Sequence, residues 1–321
     1  MSLPNSRVLE LPEQREVRGR AFPLVLGPDG SFDLAGCRDA ILDLARDHGG
    51  ILFRGFDVPS PGAFATFVET LRIENMPYVG GAAVRTPIVG DRVFTANESP
   101  PGEPVPFHHE MAQVPEPPAY IFFYADRPSV SGGETPILLS HEVYTYFLET
   151  FPACCEAVEA HGIQYIRVMP EVDDPRSPIG RSWKATFQVN SRVEAEAVMR
   201  QLGTRWEWLE DGNLKTITAT VPAIRRDPRT GEKQFFNSMV AAYKGWVDVR
   251  NDPKKAVRLG NGGAIDASAM EGLHVFMREH CVAIPWEKND VLMLDNGLVL
   301  HARNPFVPPR RILASVGKAA M

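Results

Sequence analysis

The chain has 321 residues, 44% hydrophobic and 23% charged, the balance of an ordinary globular protein. Its 34 Lys and Arg against 40 Asp and Glu leave a formal charge of −6, which gives no support to a nucleic-acid partner. No apolar run reaches the ~18 residues of a membrane span, and residues 1–20 lack the apolar centre of a signal peptide, so a cytoplasmic protein without a membrane partner is expected.

In chain order, residues 34–49 read as an amphipathic helix stopped at Gly49-Gly50, and 51–53 as a buried strand. A second helix is expected at 61–71. Residues 120–124 (Tyr-Ile-Phe-Phe-Tyr) are rich in aromatic and β-branched side chains and predict a central strand. After a turn at Gly132-Gly133 come a strand at 135–139 and a helix opening at Ser140, which is placed to cap it. The middle, about 165–260, is the least regular part, with a helix at 192–202 and strand signals at 215–221. A helix at 268–280 and strands at 290–295 and 311–316 complete the chain, with His301 on a loop between them.

Cys37, Cys154, Cys155 and Cys281 show no Cys-x-x-Cys spacing and read as buried free thiols. The 28 prolines argue against a helical bundle. Strands at both ends around an irregular middle favour a mainly β protein with flanking helices (α+β), a barrel or sandwich carrying a long insert. At ~150 residues per domain the length suggests two domains, but large β folds use it as one, and a single domain over 1–321 is expected.

The chemistry concentrates in Phe107-His108-His109-Glu110. Residues i and i+2 of a strand share a face, so His108 and Glu110 converge while His109 points away and reads as scaffold. With His301 they make two imidazoles and one carboxylate, a set suited to non-haem Fe(II) because it leaves positions open for O2 and a co-substrate. The plainer reading is a solvated strand pair and a surface histidine, since short motifs carry a high false-positive risk. His48, His141, His161, His274 and His280 lie in or beside expected helices and read as structural. Arg310 and Arg311, nine and ten residues after His301, offer a guanidinium for a carboxylate in a water-poor pocket. Strand alternation points only one of them inward.

The segments Arg54-Gly-Phe56, Pro106-Phe-His-His-Glu-Met-Ala-Gln113, Gly132-Gly-Glu-Thr-Pro136, Phe236-Asn-Ser-Met-Val240, Leu294-Asp-Asn296, His301-Ala-Arg303 and Pro309-Arg-Arg-Ile-Leu313 occur in one order over about residues 50–320. Together they resemble the taurine/2-oxoglutarate dioxygenase-like superfamily, and more closely its clavaminate synthase-like branch. The resemblance implies a double-stranded β-helix (jelly-roll) core, with Fe(II) carried by His108, Glu110 and His301. It implies that Arg311 and Thr135 hold the far carboxylate of the co-substrate 2-oxoglutarate. The expected reaction uses O2 to oxidise an unactivated C–H bond, releasing succinate and CO2, with hydroxylation as the default outcome and desaturation or cyclisation as variants. The family's common pattern is His-x-Asp; here Glu110 stands in, as in the closer branch, and its presence argues against halogenation.

The substrate expected from the resemblance is a small molecule, an amino acid, its derivative or a carrier-bound aminoacyl group. Ser315, four residues after Arg311, supplies no second cation, which argues against a sulfonate. Asn97, Glu98 and Ser99 are candidates to recognise an ammonium or amide, with a solvated loop as the competing reading. Phe236 and Asn237 are candidates for a pocket wall, and Arg303 for a substrate carboxylate. Two other classes compete: a zinc hydrolase on the same ligand set, and a non-catalytic binding protein that retains the fold. The hydrolase would leave Arg311 and Thr135 without a role.

Overall fold

In the computed structural model, which describes residues 3–81 and 83–320, two β-sheets face one another and helices cover their outer sides. The larger sheet runs Ser6–Val8, Leu24–Pro28, Gly50–Phe53, Val291–Asp295, Tyr120–Arg127, Arg311–Ala320, Val93–Thr95, Pro87–Val89, with Ile73–Asn75 also on Arg311–Ala320. Its neighbours are antiparallel except Leu24–Pro28 and Gly50–Phe53. The smaller sheet is Ile137–Leu139, Val299–Arg303 and Val105–His108, all antiparallel. This is the expected jelly-roll architecture, with more strand than helix.

The apolar run at Tyr120 is continuous because the strand is covered on both faces. Ile121 and Phe123 enter the space between the sheets, against Leu292, Ile312 and Ala314 and against Ile137 and Val299 of the smaller sheet. Phe122 and Tyr124 face the other way, toward Met293 and the helices Arg38–His48 and Pro61–Thr70. The smaller sheet is double-faced too: Leu138 and Leu300 back onto Ser140–Thr150, Pro152–His161, Met239–Gly245 and Ala267–His280. The side chains that face inward between the sheets therefore surround one end of a shared core, where the candidate metal residues lie.

Within the insert, Arg205–Trp208, Leu214–Ile217, Ile163–Met169 and Val257–Leu259 form a four-stranded sheet. Trp183, Phe187, Met199 and Leu214 pack there into a small core of their own.

Several expectations shift. The first helix starts at Arg38, because the Asp33 carboxylate accepts from the Gly36 N–H at 3.0 Å and holds 33–36 as a turn. Its end is as expected, at Gly49 with φ of 74°. The strand after Gly132-Gly133 begins at Ile137, and the strand expected at 215–221 ends at Ile217. Ser140 does not cap its helix: Leu139 occupies that position, and the Ser140 hydroxyl goes to His109. His301 is in a strand, not a loop. All four cysteines are free thiols, but only Cys37 and Cys155 are buried as expected; Cys154 and Cys281 are half-buried. Among the described residues no helix is long and apolar enough to cross a membrane.

Candidate metal centre

The Cα atoms of His301 and His108 are direct partners across Val299–Arg303 and Val105–His108. Cross-strand partners share a face, and the two imidazole centroids lie 4.3 Å apart. Glu110 sits just past the strand end, where Met111 adopts φ of 54° and the chain turns. One side chain holds that turn: Asn296 accepts from the Glu110 N–H at 2.8 Å and donates to the Glu110 and Pro118 carbonyls at 3.1 and 2.8 Å. One donor atom from each of His108, Glu110 and His301 then lies within 4.8 Å of the others.

The electrostatics favour the metal-binding forms of His108 and Glu110. His108 donates from Nδ1 to the Pro106 carbonyl at 2.9 Å, which leaves the Nε2 lone pair for a ligand. Burial, reinforced by His301, pushes its pKa down to about 4, so the ring is neutral at physiological pH. Burial alone would push the Glu110 carboxyl up, but Arg85 and the two imidazoles override it and hold it well below the usual carboxylate range. Two bound donors ~2.0–2.2 Å from one ion stand ~3 Å apart; His301 Nε2 and Glu110 Oε2 are 3.6 Å apart. Two imidazoles and one carboxylate at this spacing fit a divalent metal.

His109 is buried on the opposite side as scaffold. Its Nδ1 meets the Asn296 carbonyl at 2.5 Å, and its Nε2 lies 2.8 Å from the Ser140 hydroxyl and 2.9 Å from the Phe235 carbonyl.

Arg310 and Arg311 separate cleanly. Arg311 points outward and pairs with Asp126, its side chain half exposed. Arg310 lines the chamber around the metal residues, and its Nε donates to the Gly133 carbonyl at 2.9 Å. The expectation for Arg311 is thus corrected: Arg310 precedes the strand, so strand alternation does not govern it. Gly132 and Gly133 both have positive φ, and a Cβ on Gly133 would stand 2.8 Å from Arg310 Cδ. Burial, then the Arg303 charge, pushes Arg310 down to about 9. Thr135 is buried and lines the same chamber.

The substrate candidates divide. Asn97 and Ser99 line the chamber, bonded to each other through Asn97 Oδ1 and the Ser99 N–H at 2.7 Å. Glu98 is exposed and does not line it; it accepts from Thr95 at 2.6 Å. Phe236 stacks on His109 at 4.4 Å, and Asn237 bridges the Ala223 carbonyl and the Met239 N–H, so both support the scaffold instead of forming a wall. Arg303 lines the chamber, yet its guanidinium is committed to the Ser99, Pro100 and Glu103 carbonyls, where it pins the loop. Ser315 lies opposite Phe122 on the helix-covered face. Counted from Arg310 the corresponding residue is Ala314, equally without charge.

Sequence reasoning missed Arg85, whose Nη2 donates to both Glu110 oxygens at 3.0 and 2.9 Å while its guanidinium lies 4.0 Å from the Tyr78 ring centre. It sits in a loop without periodicity, so no local signal marked it. His274, also on the chamber wall, was detectable: it shares the i, i+3, i+4, i+7 face of Met270, Leu273 and Met277.

The family model described as taurine catabolism dioxygenase TauD, TfdA family matches residues 20–316. The chain belongs to this family. Its enzyme class is that of the Fe(II)/2-oxoglutarate-dependent dioxygenases. A clavaminate synthase-like protein of Arabidopsis thaliana is 46% identical over 96% of this chain and 97% of that one. The dapdiamide synthesis protein DdaC of Enterobacter agglomerans is 28% identical over 90% and 92%. Among solved structures, PvcB of Pseudomonas aeruginosa has a TM-score of 0.55 at 17% identity, covering 99% of this chain and 93% of that one. AAD-2 in complex with Mn(II) and N-oxalylglycine has a TM-score of 0.53 at 12% identity, covering 98% of each. These two structures are similar in fold.

Proposed function

We propose that this dioxygenase oxidises an unactivated C–H bond of a small amino-acid derivative, by hydroxylation in the default case, with His108, Glu110 and His301 holding the iron. The observation that carries the reading is the convergence of these three donors in a chamber that also contains the Arg310 guanidinium. Bound there, Fe(II) supplies with O2 and 2-oxoglutarate the oxidising power, and succinate and CO2 leave as co-products.

The chain's own residues bind, orient and exclude water. His108 and His301 offer ring nitrogens, and Glu110 would cancel one of the two metal charges. Arg310 takes the far carboxylate of 2-oxoglutarate as a fork, held at the right height by Gly133, with Thr135 as the added hydroxyl. The rings of Phe123 and His301 meet edge to face with their centroids 5.1 Å apart, and Tyr78, Met111 and Trp246 keep the wall largely apolar. Asn97 and Ser99 remain the polar pair placed to meet a substrate amide. The names of the Arabidopsis and Enterobacter relatives support an amino-acid derivative as the substrate class.

The test is a screen of amino acids, their amides and N-acyl derivatives, and carrier-bound aminoacyl groups, for succinate release above the substrate-free rate. Stimulation by one of these classes fits the reading. Stimulation only by sulfonates or aromatic ethers refutes it.

A further inference from the structure

Next to the metal chamber, sharing Gln113 and Trp246 with its wall, lies a second cavity of about 50 Å³. One water needs a space of ~10–15 Å³, so this cavity has room for a small polyatomic ligand. Arg167, from the insert strand Ile163–Met169, lines it together with Thr186 and Thr218.

The charges around this cavity do not balance. Arg167 is 5% exposed, and its Nη2 bonds only to the Ile179 and Arg181 carbonyls, at 2.7 and 2.8 Å. Among the described residues its Nε has no partner, nor has the hydroxyl of Thr186, which is 2% exposed. Nearby Arg181 is also buried and, among the described residues, bonds to the carbonyls of Tyr78, Gly81 and Ala185. Of the other charges acting on Arg167, Arg250 repels it, and Asp248 attracts it but is committed to Arg250, Ser177 and Asn251. Asp173 attracts Arg181 but accepts from the Ser182 N–H at 2.6 Å, so among the described residues no carboxylate is hydrogen-bonded to either guanidinium. Interiors normally answer a buried charge with a paired opposite charge. Thr218 accepts from the Tyr165 N–H at 3.0 Å, which leaves its hydroxyl hydrogen free to donate.

We propose that this cavity is an anion site, taking a monovalent anion of halide or carboxylate size on Arg167 with the Thr186 and Thr218 hydroxyls as further donors. A free ion and the carboxylate end of a molecule reaching past Gln113 and Trp246 share this chemistry. The inference stands apart from the metal centre and does not depend on the substrate proposed above.

The test uses the full chain. Crystals soaked in sodium bromide should show an anomalous peak beside Arg167. In solution, sodium bromide or sodium acetate, with ionic strength held by the sodium salt of MOPS (a bulky sulfonate with no carboxylate), should raise the melting temperature saturably by roughly 2–5 °C. Arg167→Met should abolish the rise. Because Arg167→Met also loses two bonds to the insert loop, Thr186→Val carries the test if that variant does not fold. Thr186→Val removes an orphaned hydroxyl, so its melting temperature in the MOPS reference should equal or exceed that of the wild type while its anion response falls at least twofold. Equal responses to bromide and acetate identify a free small anion, and a tenfold preference for acetate identifies a carboxylate end. No peak at Arg167, a peak without a saturable shift (an adventitious ion only), or an unchanged response in Thr186→Val overturns the proposal.

Discussion

Arg310 and Arg311 differ by one position and by everything around them. Arg311 pairs with Asp126 at the surface, where an ion pair contributes ~0–1 kcal/mol. Arg310 faces the chamber with its Nε already fixed on Gly133. Arg310→Ala should therefore raise the 2-oxoglutarate concentration for half-saturation by about 30-fold or more, the scale of losing a buried charge contact. Arg311→Ala should change it by less than about threefold, and calorimetric titration of 2-oxoglutarate checks both. Arg85 makes a second prediction. The Arg85–Glu110 pair is 6% and 3% exposed, so Arg85→Met should destabilise the metal-free protein by about 3–5 kcal/mol in urea unfolding. Part of that loss should return on adding Mn(II), which restores a positive partner to Glu110. At this scale the sequence pointed to His108 and Glu110 as a pair, but not for the expected reason: the strand ends at His108, and a turn held by Asn296 brings Glu110 round, instead of the i, i+2 face of a strand. It could not resolve the two arginines, whose directions depend on where the strand begins, and it was silent on Arg85, which meets Glu110 from a distant loop.

Strands and turns, not isolated side chains, bring the ligands together. His301 and His108 are neighbours because one residue of register pairs their strands, and a slip by one would send His301 to the other face. That register is supported through His109, whose ring ties the strand end to Asn296, Phe235 and the start of the helix at Ser140. These buried histidines imply a pH dependence. Burial lowers the folded pKa of His108 to about 4 and of His109 to about 3, whereas the unfolded chain takes up protons near 6.5. A depressed folded pKa means stability that is complete above pH 6.5 and is lost progressively as pH falls toward 4. Denaturant midpoints of the metal-free protein should drop between pH 7 and pH 5, and a flat profile there contradicts neutral, buried imidazoles. The long elements were legible from periodicity, whereas the short strand starts and the cap at Ser140 were not. Ser140 looks like a cap locally, but a tertiary partner, His109, claims its hydroxyl. Phe236 and Asn237 misled in the same way: a conspicuous segment near the site turned out to brace the scaffold.

For the molecule as a whole, two facing sheets place the metal residues at one end of a shared core, with helices sealing the far side of each sheet. The insert contributes the remaining wall: Pro178, Ile179 and Trp246 line the chamber. Its four-stranded sheet was beyond sequence reasoning because its strands are short and pair out of chain order. The central claim is that one chamber assembles a metal from His108, Glu110 and His301 and a 2-oxo acid on Arg310. The most direct measurement is an anaerobic titration of the purified protein with Fe(II) and then 2-oxoglutarate, followed by visible absorbance. The wild type should develop a weak charge-transfer band that requires both additions, His301→Ala should develop none, and Arg310→Ala should need far more 2-oxoglutarate. A band of full intensity in His301→Ala, or none in the wild type, would contradict the account.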